Sequence, residues 1–102
     1  MSEIRNYKHI EPVPKNFSAW KIHSDVHCEL VRVQLLPGES IEKHVNEKTV
    51  FFYVLEGRGT LTSGAEELVL QQEDSIRIEK GMERSWSNDG DGPLVILVIK
   101  QL

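Results

Sequence analysis

A chain of 102 residues, 39% hydrophobic and 27% charged, has the size and balance of one globular domain, which excludes disorder and argues against two domains. Its formal net charge of −4 comes from scattered acids and bases with no basic run, so nucleic acid is not an expected partner. The longest apolar stretch, Pro93 to Ile99, falls far short of the about 20 residues that cross a bilayer as a helix, and no apolar leader opens the chain; a cytoplasmic protein without membrane contact is expected.

Residues 1–18 are polar and carry Pro12 and Pro14, which suit an irregular N-terminal arm better than a central strand. A single domain is expected over residues 19–102. Trp20 to His23 reads as a short strand that Asp25 interrupts. In Val26 to Leu36, Val31, Val33 and Leu35 share one face at period two, with Arg32 and Gln34 opposite. The same alternation assigns His27 and Glu29 to the inward face. Cys28, the only cysteine, cannot form an internal disulfide and reads as a small apolar residue, buried or half-buried. Pro37-Gly38-Glu39 is turn chemistry, and Ile41 to Asn46 a short extended segment.

Thr49 to Leu55 is rich in β-branched and aromatic residues and is the plainest strand; Phe52 and Val54 alternate inward, Phe51 and Tyr53 outward. Glu56 to Gly59 turns into Thr60-Leu61-Thr62, and Ser63-Gly64 is a hairpin turn. Leu68 to Leu70, Ser75 to Ile78, Glu83 to Ser87 and Leu94 to Lys100 follow as strands, the last two separated by the turn residues Asn88 to Pro93. No window shows the helical period. Short strands with turns every roughly eight to twelve residues point to a sandwich or closed barrel.

Two stretches carry a resemblance. Leu35-Leu36-Pro37-Gly38-Glu39 is followed, five residues after Gly38, by His44-Val45-Asn46, and later by the run Tyr53 to Gly59. Glu73-Asp74 is followed after four residues by Glu79-Lys80-Gly81, then by Arg84 and Asn88. In their spacing both stretches resemble the two motifs of the cupin superfamily, over about residues 29–99. The resemblance implies an all-β, double-stranded β-helix (jelly-roll) barrel. It also implies homodimers built through outer strands, for which the outward Phe51 and Tyr53 are suited.

The family's metal is held by two histidines and a glutamate of the first motif and a histidine of the second. Residue by residue, these positions are His44, Asn46, Val50 and Arg84. An amide is a weak ligand for a transition metal, valine offers none, and a protonated guanidinium repels a dication. The resemblance therefore implies a small single-domain cupin with degenerate metal-binding motifs and no cofactor. If a divalent transition metal is bound, a site rebuilt from His44, His27 and Asn46 is the expected one.

In the same geometry His44, Asn46, Arg84 and Trp86 converge on one cavity, walled by Val50 and Phe52. One fixed cation, one titratable ring, one amide and one aromatic face suit a small anion such as a carboxylate or a sugar acid. Alternatively, Arg84 pairs internally with Glu42, Glu79 or Glu83, or reaches out to solvent. No nucleophile elbow, phosphate loop or zinc-protease motif is present. The expected function is binding of a small anion without metal. The rivals are a metal-dependent dioxygenase, isomerase or decarboxylase, and a structural or regulatory dimer domain without catalysis.

Overall fold

The computed structural model describes residues 2–102. Nine strands follow one another: β1 (Ser18–Ser24), β2 (Cys28–Leu35), β3 (Ser40–Val45), β4 (Val50–Glu56), β5 (Arg58–Ser63), β6 (Glu66–Gln71), β7 (Ser75–Ile78), β8 (Glu83–Ser87) and β9 (Leu94–Gln101). They form two antiparallel sheets, a five-stranded one in the order β1-β2-β9-β4-β7 and a four-stranded one in the order β3-β8-β5-β6. This is the all-β jelly-roll architecture that the alternating segments predict.

Rungs across the first sheet show why the alternation matters. Val33, Ile96 and Val54 lie opposite one another on β2, β9 and β4; Val31, Val98 and Phe52 form the next inward rung; Glu29, Lys100 and Val50 form the one after. On the second sheet Ile41, Trp86 and Leu61 share a rung, as do His44, Arg84 and Ser63. The two inward faces meet in a core where Leu35, Val50, Val54, Leu61, Leu94 and Ile96 are fully buried. Each such side chain stabilises the fold by about 1.5–3 kcal/mol through removal from water.

Two landmarks of the motifs act on the backbone. Gly57 has φ +82°, and a Cβ there would lie 2.2 Å from the carbonyl oxygen of Pro93, so the β4–β5 turn admits only glycine. Asn88 is fully buried, and its side-chain amide is hydrogen-bonded at both ends. Its Nδ2 donates to Leu35 O at 2.8 Å and Gly92 O at 2.9 Å, and its Oδ1 accepts from Gly90 N at 3.0 Å. It thereby locks the β8–β9 turn to the end of β2.

Two details depart from the alternation. The strand that sequence alone starts at Val26 starts at Cys28. The Asp25 carboxylate accepts hydrogen bonds from the backbone N–H of His27 (2.7 Å) and Cys28 (3.0 Å), closing a turn before β2 begins. His27 is exposed in that turn, off the inward face, which β2 takes up only from Glu29. The arm is also less free than its polar sequence predicts. Tyr7 packs edge-on against Trp20 at 5.0 Å, the Arg32 guanidinium lies 3.8 Å over the Tyr7 ring, and Val13 and Phe17 pack against the core.

Candidate functional site

A cavity of about 380 Å³ opens between the sheets. Val31, Val33, Val98 and Phe52 wall it from the five-stranded sheet, and Ile41 and Trp86 face them from the other. Val13 and Phe17 of the arm complete the wall. The lining is mostly apolar with a few convergent polar groups, the usual character of a small-molecule site.

Arg84 reaches this cavity from β8, one period-two step from Trp86. A β-bulge in β3 matters equally. Ile41 pairs with Trp86 while His44 pairs with Arg84, so two residues three apart in sequence both face inward. His44 thus lies across from Arg84, at the exposed mouth of the cavity. Its Nδ1 lies 3.1 Å from Glu42 O; because a carbonyl only accepts, Nδ1 carries the proton and Nε2 is left for solvent or a ligand.

Arg84 is 2% exposed. Its Nε and Nη1 have no hydrogen-bond partner, and no carboxylate pairs with it among the described residues. Of the internal partners considered from sequence, Glu42 is exposed and makes no ion pair with Arg84, and the other two are taken by other cations. Glu79 pairs with Arg77, and Glu83, on the outward face of β8, pairs with Lys43 at 3.6 Å. Phe52 offers only a distant aromatic face, 5.9 Å from the guanidinium carbon. Burial pushes the Arg84 guanidinium below its ordinary pKa, yet it remains a cation at neutral pH. Beside it, the Trp86 indole Nε1 is also buried without a partner, while the ring meets Phe52 edge-to-face at 5.4 Å.

Asn46 lines the cavity but its side-chain oxygen accepts from Lys48 N at 2.9 Å. Val50, expected to wall the cavity, is instead fully buried in the core and off the cavity lining. The four positions of a cupin-type metal centre therefore hold a solvated imidazole, an amide oxygen committed to a turn, a core valine and a buried cation. This donor set does not fit a divalent metal. His27 lies outside the cavity and adds nothing to it.

Sequence reasoning placed Glu29 on the inward face but missed the lysines at the rim of the cavity. Glu29, half-buried, lies 3.5 Å from Lys21 Nζ and 3.7 Å from Lys100 Nζ, and Lys15 of the arm also lines the cavity. Lys21 and Lys100 share inward parity with Ala19 and Val98, so strict alternation would have found them; Lys15 carries no such signal.

Residues 31–100 match the cupin domain family. The chain belongs to that family. No curated protein matches the sequence. Among solved structures, the barrel is similar to a predicted oxalate decarboxylase from Thermotoga maritima, with a TM-score of 0.89 at 19% identity over 98% of this chain and 99% of the other. An RmlC-like cupin with a double-stranded β-helix fold from Methanocaldococcus jannaschii superposes with a TM-score of 0.85 at 18% identity, covering 99% and 91%. The TT1209 protein of Thermus thermophilus gives 0.83 at 24% identity, covering 98% and 97%. At these identities the likeness is one of fold.

Proposed function

We propose that this cupin binds a small carboxylate whose carboxyl group pairs with Arg84. The observation that supports the reading is a guanidinium 2% exposed with two nitrogens lacking any partner among the described residues. An unpaired buried charge costs several kcal/mol, and a bound anion offsets that cost through charge-assisted, bidentate hydrogen bonds. The indole N–H of Trp86, next to Arg84 on the same face of β8, is likewise buried without a partner among the described residues. The apolar walls suit an aliphatic or aromatic body. Serine, threonine, asparagine and glutamine side chains on the lining number only two among the described residues, Ser85 and Asn46, which favours a simple carboxylic acid over a hydroxyl-rich sugar acid. The site works without a metal, since its donor set does not suit one.

A second copy of the chain is the proposed macromolecular partner. Leu30, Ile99 and Phe51 lie side by side on the outer face of the five-stranded sheet, with Leu97 and Tyr53 in the next row. A monomer by sedimentation at micromolar concentration would remove that partner and leave the pocket untouched.

The ligand reading is tested by thermal unfolding in carboxylate-free buffer, with acetate, butanoate, benzoate and glucuronate added separately. Butanoate and benzoate should raise Tm, their neutral amides should not, and Arg84→Met should abolish the response. No shift with any carboxylate, or a shift that survives Arg84→Met, overturns the reading.

A further inference from the structure

The charges around the cavity specify more than one carboxylate. Four basic side chains, Lys15, Lys21, Arg84 and Lys100, line it against a single acid, Glu29. That excess stands out in a chain whose formal net charge is −4. Glu29 is shared between Lys21 and Lys100, at 3.5 and 3.7 Å, and so compensates at most one of them. A single carboxylate on Arg84 would leave positive charge in excess at the rim.

The excess is arranged along an axis. Arg84 lies 2% exposed, whereas the side chains of Glu29, Lys100 and Lys21 are 18%, 30% and 49% exposed, so the lysines stand at the mouth and the arginine within. Arg84 faces Phe52, whose rung is apolar through Val98 and Val31 and ends in Lys21 on β1; the rung of Lys100 and Glu29 comes next along the same strands. Two residues along a strand span about 7 Å, the length of an extended chain of about five or six carbons.

We infer that the ligand is an α,ω-dicarboxylate, with one carboxylate on Arg84, a methylene spacer against the Phe52 rung and the second carboxylate on the lysine rim. The inference rests on the carboxylate pocket proposed above. The rim ammonium groups hold the outer carboxylate in competition with Glu29, and an apolar spacer excludes a compact dianion such as oxalate, which cannot reach both ends.

Isothermal titration of the intact chain with two matched series tests it: oxalate, succinate, glutarate and adipate against acetate, butanoate, pentanoate and hexanoate. Glutarate or adipate should bind about tenfold tighter than the monocarboxylate of equal length, and oxalate no better than acetate. In the Lys21→Met, Lys100→Met double variant the gap between the series should close. Equal affinity of the two series overturns the dicarboxylate and leaves the carboxylate pocket standing. Binding of neither series overturns both. A gap that persists in the double variant refutes the lysine rim as its cause. Circular dichroism of the variant confirms that the barrel is intact.

Discussion

Replacing Arg84 by methionine should make the ligand-free protein more stable, the opposite of what removing a structural arginine does. Two guanidinium nitrogens, Nε and Nη1, are buried and unpaired among the described residues. Each orphaned donor costs about 1–3 kcal/mol, and more when charged. Methionine is unbranched, packs against Phe52 and Trp86 and carries no donor. Against the gain stands the lost cation–π contact with Phe52 at 5.9 Å, worth up to about 2 kcal/mol for a desolvated cation. Exchanges of buried ion pairs for apolar groups of similar volume are neutral or stabilise by about 1–4 kcal/mol, and an unpaired charge has less attraction to lose. A net gain of about 1–3 kcal/mol follows, and in a domain of this size each kcal/mol moves Tm by about 4–8 °C. The assay is urea unfolding and calorimetry of both proteins in a buffer free of carboxylate and phosphate. A variant that is less stable by more than about 1 kcal/mol refutes the reasoning, because it would mean that Arg84 has an internal partner in solution. Stabilisation of the free protein together with loss of carboxylate response is the signature of a residue kept for binding.

Two further outcomes follow from the backbone. Asn88→Ala removes the partners of Leu35 O, Gly92 O and Gly90 N at a fully buried position and should cost about 2–4 kcal/mol in urea unfolding, whereas Ser87→Ala, one residue earlier and half-buried, should change stability by less than about 1 kcal/mol. Asp25, whose pKa is lowered to about 2 by hydrogen bonds from the His23 side chain and from the backbone N–H of His27 and Cys28, should titrate well below ordinary carboxylates. Its folded value lies below its unfolded one, so its contribution is present above about pH 4 and is lost as pH falls toward about 2. Carboxyl NMR titration reads this directly, and an Asp25 resonance midpoint near that of exposed aspartates would refute the closed turn.

The strands and their inward faces were legible in the sequence because a β-sheet has a period of two, and Val31, Val33, Phe52 and Val54 report it without knowledge of any neighbour. The motif spacing was equally legible, although what Gly57 and Asn88 answer to lies far along the chain: the carbonyl of Pro93 for the one, that of Leu35 for the other. Arg84 and Trp86 shared a face by the same rule. The inward placement of both Ile41 and His44 was not legible by period alone, because a bulge breaks parity and is fixed by pairing with β8. The extent of β2 was misjudged at His27, where one aspartate side chain takes the backbone N–H groups that a strand would have used.

What sequence alone determined was therefore the class of fold, the family and the chemistry of each inward side chain. Only the tertiary structure decided that Arg84 is buried without a carboxylate while Glu79 and Glu83 are spent on other cations, that the arm closes the cavity with Val13 and Phe17, and that three lysines ring its mouth. The physical reason is that side-chain direction along a strand is a local property, whereas whether a charge finds a partner depends on which distant segments two packed sheets bring within a few ångströms of it.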